Sequence, residues 1–272
     1  DGRAEHGDRH AHRRAGLLTP LAQLRARVQV GGAFEGHRLG AAHRGAAPRG
    51  LHAAPRSAVL GGDRDASKRA LQLPAAETTL AEALRPAGYH NTYVGKWHLG
   101  EFEPAYRPTG RGFDHQYGCW FGAIDYFTHI RDGKTDWHRN DQPCKDEGYS
   151  THLIAREACR IIRAKNPNKP LFLYLPFNAV HGPHQVPDRY CQPYSDLKGI
   201  RRTYAGMMSA MDEAIGQVLA ALEEKGMRDN TLIIFSSDNG GPEPGKVTSN
   251  GPLRAGKGTI YEGGIRVPIF MR

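Results

Sequence analysis

A chain of 272 residues can bury one substantial core with at most a small appendage. Its formal charge of +9 is uneven, because ten arginines, no lysine and four acids give residues 1–60 a net +6. A basic arm of that kind can serve nucleic acid, but this one lacks aromatic interleaving and any binding motif, so nucleic-acid binding is set aside. In the same sixty residues Ala, Arg, Gly and His make up 38 positions, and Phe34 is the lone aromatic. Such a stretch buries too little apolar area to offset its ordering entropy. Residues 1–70 are therefore expected to be disordered or poorly packed, and residues 71–272 to form the folded domain.

From Leu73 onward the pattern is that of an α/β domain. Thr78 or Thr79 caps a helix with Leu80 and Leu84 facing inward, and Gly88 closes it. A strand over 91–94 follows. Residues 102–148, rich in Gly, Pro, aromatics and His, read as a long irregular connection. Ser150 can cap a helix to about Lys165 with Ile154, Ala158 and Ile161 inward, ended by Asn166-Pro167-Asn168. The apolar run 171–175 reads as a buried parallel strand. A helix runs from about Arg202 to Lys225, with a stripe of Met207 or Met208, Met211, Ile215, Val218, Leu219 and Leu222, and stops at Gly226. Strand 231–235 and a strand-like run, 267–271, complete the order. Alternating strands and helices predict a mainly parallel or mixed sheet with helices on both faces. No apolar run approaches a membrane span. Cys119, Cys144, Cys159 and Cys191 lack the spacing of a zinc site, and Cys159 is expected as a buried free thiol.

Polar motifs fall just beyond the predicted strands, where ligands of such sheets gather. Gly95-Lys96-Trp97-His98-Leu99-Gly100 follows strand 91–94, and period two would turn Lys96 and His98 to one side. An ammonium beside an imidazole suits a tetrahedral oxyanion, sulfate or phosphate; a solvated strand end is the plainer alternative. His181 and His184 follow strand 171–175, and either can be a structural loop histidine. Asp238 and Asn239 follow strand 231–235 and offer hard oxygen ligands, though Asp-Asn-Gly-Gly also suits an Asx turn. Lys257 stands between two glycines in Pro252-Leu253-Arg254-Ala255-Gly256-Lys257.

The ordered set of these motifs, with Tyr261-Glu262-Gly263-Gly264-Ile265-Arg266-Val267-Pro268, Pro108 to Asp114 and Tyr204 to Asp212, resembles the sulfatase family over roughly Leu73 to Arg272. Within the family it looks like the arylsulfatase B type, which removes sulfate from N-acetylgalactosamine 4-sulfate. The resemblance implies an alkaline-phosphatase-like fold, a sulfated sugar or aryl sulfate substrate, a calcium ion, and a periplasmic, secreted or lysosomal setting. It also implies catalytic roles for Lys96, His98, His181 and Lys257 on the sulfate, and calcium ligation by Asp238 and Asn239. His184 does not match a functional position.

Two family features are missing from the sequence. One is the Asp-Asp-x-Gly pattern that completes the calcium site. The other is Cys-x-Pro-x-Arg or Ser-x-Pro-x-Arg, whose first residue a formylglycine-generating enzyme oxidises to the nucleophile. If Leu51 to Arg56 were encoded CTG CAC GCC GCG CCG CGC, a one-nucleotide shift would read Cys-Thr-Pro-Arg-Arg. Out-of-frame reading of GC-rich DNA would also explain the odd composition of residues 1–70. The chain is thus expected to be an internal, inactive fragment of a sulfatase. A phosphoryl-transfer enzyme of the same superfamily and a non-catalytic sulfoglycan-binding protein are the alternatives.

Overall fold

The computed structural model describes residues 26–31, 72–243 and 247–272. Its strands are β1 (Ala26–Gly31), β2 (His90–Lys96), β3 (His115–Cys119), β4 (Ile130–Arg131), β5 (Lys134–Thr135), β6 (His138–Arg139), β7 (Gln142–Pro143), β8 (Leu171–Tyr174), β9 (Thr231–Ser236) and β10 (Ile269–Met271). The helices are α1 (Leu80–Leu84), α2 (Ser150–Arg163), α3 (Ile200–Glu224) and α4 (Glu262–Ile265). Among the described residues one sheet has the order β10-β9-β1-β8-β2-β3-β6-β7. Its five middle strands run parallel; β10, β6 and β7 add antiparallel edges. The sheet is therefore mixed, with a parallel centre.

Alternation along the strands builds two cores. Val94, Leu171 and Leu173 face α2 and α3, meeting Ile154, Ala158, Ile162, Ala214 and Leu222. Tyr93 and Phe172 face the other way, onto Ala81 of α1, Trp97, Phe113 and Trp120. Helices thus cover both faces, as the strand–helix alternation predicts. Cys159 is a buried free thiol, its Sγ 3.4 Å from the Gln217 carbonyl.

Several boundaries differ from the sequence expectation. Six residues before position 70 form a strand: β1 lies between β8 and β9, and Ala26-Arg27-Val28-Gln29-Val30 has the period-two alternation of one. The rest of residues 1–70 lies outside the described residues. The irregular connection contains β3, a core strand whose sequence His-Gln-Tyr-Gly-Cys carries little apolar signal. Helix α1 is short, ending in a 3₁₀ turn over Arg85–Ala87 before Gly88 at φ +78°. Ala81, not Leu80, is its buried residue, and Leu80 stays exposed. Thr79 is the cap: its Oγ1 accepts from Glu82 N, and Glu82 accepts from Thr79 N. Ser150 is the first residue of helix α2 and not its cap; Tyr149 holds the cap position without a side-chain bond, and the helix ends at Arg163. In α3, Met207 is buried while Met208 and Leu219 are exposed.

The Pro108–Asp114 motif locks the sheet to its surroundings. Arg111, 2% exposed, donates to Glu82 and to the carbonyls of Leu73 and Glu77. Asp114 accepts from Asn91 N of β2 and from Arg85. These bonds place α1 against β2 and so fix the strand that carries Lys96.

Candidate active site

A cleft of about 330 Å³ opens at the carboxyl ends of the central strands. Lys96, His181, Asp238, Asn239 and Lys257 all line it. Four separate loops or strand ends supply them, so their convergence is a tertiary result. Tyr204, Met208 and Met211 of α3, with Phe235 and Pro268, give the cleft an apolar wall.

Lys96 is the last residue of β2 and is 2% exposed. Its N–H donates to the Pro176 carbonyl at 2.9 Å. That close approach requires Gly95 (φ +138°), where a Cβ would sit 1.9 Å from Pro176 O. Gly95 pairs with Gly118 of β3, where a Cβ would sit 2.1 Å from Gly95 O. Two glycines therefore let the strands and the Pro176 loop close around the buried ammonium.

His181 sits on the loop after β8. Tyr126 Oη donates to the Asn178 and His181 carbonyls, at 2.7 and 2.8 Å, and His181 N donates back to Asn178 O. The Asn178 amide meets Ser150 at the start of α2. His181 Nδ1 lies 2.7 Å from the Gly182 carbonyl. A carbonyl only accepts, so Nδ1 is assigned the hydrogen and Nε2 is the nitrogen that gains or loses a proton.

Asp238 and Asn239 form a tight bend in which Asn239 N donates to Asp238 Oδ1 and Asn239 Nδ2 donates to Gly240 O; both bonds join adjacent residues, and neither is the two-residue bond of an Asx turn. The turn does not consume the donors. Asn239 is oriented with its amide nitrogen held on the backbone. The Asp238 side chain is open to the cleft, yet desolvation by the enclosing walls raises its pKa, while the ammonium groups of Lys96 and Lys257 pull the other way.

The turn is fastened to the Lys257 loop by backbone. Gly240 N donates to Gly264 O, and Lys257 N to Gly241 O. Asn250 accepts from Gly241 N and donates to the carbonyls of Gly241 and Ala255. A Cβ on Gly240 would meet Gly263 O at 1.6 Å, so this junction is made of bare backbone.

The structure does not bring His98 into this lining. The strand ends at Lys96, and His98 adopts φ +59°, which breaks the period-two expectation that both side chains share a side. Its ring packs edge-on to Phe121 at 5.2 Å, and Gly122 faces it so closely that a Cβ there would lie 2.5 Å from the ring. His184 does line the cleft, with its pKa lowered by burial. Asn178, Tyr126 and Asn250 carry the loops but have no motif that marks them in the sequence. Asn250-Gly251-Pro252 reads as a turn, and the bonds of its amide are visible only in the folded chain.

Asp238 and Asn239 are hard oxygen donors of the kind calcium takes. Calcium takes about six to eight such oxygens, and among the described residues no group of three or more His, Cys, Asp or Glu could hold a metal. None of the four cysteines lines the cleft.

A family model described as Sulfatase matches residues 56–272. This chain belongs to the sulfatase family. It is 43% identical to arylsulfatase J of Mus musculus over 208 residues, covering 73% of this chain and 35% of that protein. It is 33% identical to N-acetylgalactosamine-6-sulfatase of Homo sapiens over 215 residues, covering 73% and 40%. Among solved structures, Ps i-CgsB in complex with k-i-k-neocarrahexaose superposes with a TM-score of 0.69 at 35% identity, over 74% of this chain and 48% of that one. The chain thus spans two fifths or less of the length of these curated relatives. Its mixed sheet with helices on both faces is the fold of these sulfatase structures. Among the described residues no helix is long and apolar enough to cross a membrane.

Proposed function

We propose that this chain is a partial catalytic domain of a sulfuric ester hydrolase, and that its cleft receives the sulfate of a sulfated sugar or aryl sulfate. The observation that carries this reading is the convergence of Lys96, His181 and Lys257 with Asp238 and Asn239 in one cleft. The names of the relatives support the reaction class, and the carrahexaose complex supports a carbohydrate. The particular ester, including an N-acetylgalactosamine 4-sulfate, is a matter for substrate comparison.

On this reading Lys96 and Lys257 hold sulfate oxygens by charge-assisted hydrogen bonds. Burial of Lys96 keeps its ammonium fixed before substrate arrives, so little reorganisation accompanies binding. His181 Nε2, once protonated, donates its proton to the departing ester oxygen, and the Gly182 carbonyl on Nδ1 holds the ring for that step. A formylglycine, when present, supplies the hydrated aldehyde that attacks sulfur. Asp238 and Asn239 would be two ligands of a calcium ion, which offsets charge on the sulfate oxygens when bound. The other ligands, the Cys/Ser-x-Pro-x-Arg nucleophile and the formylglycine-generating enzyme that matures it belong to the intact family member. The 272-residue chain alone is accordingly read as a binder without turnover, and its domain as residues 71–272 completed by the central strand β1.

Two measurements test this. Inorganic sulfate should bind the chain saturably by calorimetry, and His181→Gln should bind it more weakly. An aryl sulfate should not be hydrolysed by the purified chain; hydrolysis that survives removal of contaminating enzyme would refute the account of the nucleophile. The nucleotide sequence across codons 1–75 tests the reading of residues 1–70.

A further inference from the structure

A second basic surface lies at the other end of the sheet. Two adjoining hollows share Arg160 and Ala164. The first, of about 360 Å³, is floored by His90 and Leu171, the first residues of β2 and β8, and so faces away from the cleft. The second is an open groove of about 820 Å³ along α2. Together they carry six cations, Arg139, Arg156, Arg160, Arg163, Lys165 and Lys169, against the acids Asp114, Asp146 and Glu157.

The row has a simple origin in the sequence. Arg156, Arg160 and Arg163 recur at i, i+4 and i+7, so they share one face of α2, opposite the apolar face that packs on the sheet. That row is roughly 10 Å long at the helical rise, and Lys165 and Lys169 extend it past the helix end. The acids offset part of it: Glu157 pairs with Arg139 and Arg160, Asp146 with Arg139, and Glu224 with Arg163, while Asp114 is bonded to Arg85 outside the row. Among the described residues the side chains of Arg156 and Lys169 make no ion pair.

We propose that this face binds a sulfated polysaccharide chain at a site separate from the cleft. The cations are strung along a groove instead of converging on a point, which suits a polymer of spaced anions over one small anion. Among the described residues no Phe, Tyr or Trp lines either hollow to offer bases the stacking that single-stranded nucleic acid uses. Among the described residues no large exposed apolar side chain lines the hollows to anchor them in a lipid surface. The surface itself stands on residues the cleft does not use; only the choice of a sulfated polymer among polyanions rests on the sulfatase reading. Held here, a long substrate would stay near the enzyme while its sulfates reach the cleft in turn.

The test uses the whole chain with dextran sulfate, neutral dextran and duplex DNA as probes, with binding measured at several salt concentrations by surface plasmon resonance. The ten arginines of residues 1–60 add a background common to all variants, so the comparison between variants is the readout. Dextran sulfate should bind and neutral dextran should not. The double variant Arg156→Gln, Lys169→Gln should bind dextran sulfate at least fivefold more weakly. Its slope of log affinity against log salt should be shallower by roughly 1.5, as for two lost counterion-releasing contacts. The charge-preserving pair Arg156→Lys, Lys169→Arg should retain binding, and Lys134→Gln, at an exposed lysine outside both hollows and the cleft, should leave it unchanged. Unchanged affinity in the double variant, an equal loss in Lys134→Gln, or tighter binding of DNA than of dextran sulfate would each overturn the proposal.

Discussion

Glu157 shows how one residue sets the limits of stability. Burial alone would raise the pKa of its carboxyl, but hydrogen bonds from Arg160 and His115 and the charge of Arg139 outweigh burial and hold it far below the usual range. A depressed carboxyl contributes stability that is full above its unfolded value and is lost as pH falls toward the folded one. Its contribution should therefore fade below about pH 4.3. Glu157→Gln should cost about 2 kcal/mol at neutral pH, a buried-pair loss reduced because both arginines are partly exposed. It should also flatten the acid limb of a melting-temperature profile; an unchanged acid limb would show that Glu157 does not set it. At the cleft, Lys257→Ala removes one of two ammonium groups facing Asp238. Sulfate should then bind about tenfold more weakly in a calorimetric titration, the scale of one charge-assisted hydrogen bond.

At the scale of elements, the cleft depends on places where backbone touches backbone. Gly95→Ala would force a Cβ into Pro176 O and strain a φ of +138°. The expected loss is about 3 kcal/mol in urea unfolding, combining overpacking and backbone strain. Asn250→Ala acts differently. It removes three bonds of 2.8–3.2 Å that tie the Asp238 turn to the Lys257 loop, while leaving both helical cores intact. Sulfate affinity should fall several-fold, while the unfolding midpoint should move by about 2 kcal/mol or less. If affinity held while stability fell, the clamp would be a fold element only.

Across the whole molecule, apolar burial is concentrated where α2 and α3 cover β2 and β8. The β10 edge is different, with Ile269, Phe270 and Met271 each at least 60% exposed. Amide exchange should accordingly be slowest in β8, α2 and the buried face of α3, approaching the global unfolding free energy. It should be fastest among the described elements in α1 and β10. Equal protection of β10 and β8 would place the stability of this domain elsewhere.

The sequence by itself determined the frame. Runs such as Leu171–Tyr174 and stripes such as Ile154, Ala158 and Ile161 depend on local periodicity, which a linear chain displays directly. The positions just beyond the strands followed from topology, since parallel strands deliver their carboxyl ends to one side of the sheet. Strand β3 was illegible because its burial comes from neighbours, not from its own His-Gln-Tyr-Gly-Cys composition. Only the tertiary structure decided which side chains of the motifs meet. Lys96 enters the cleft and His98 does not, because a positive φ at His98 ends the strand's alternation. Asn250 and Asn178 hold the site through backbone carbonyls far along the chain, and no local pattern records a partner that only folding brings near.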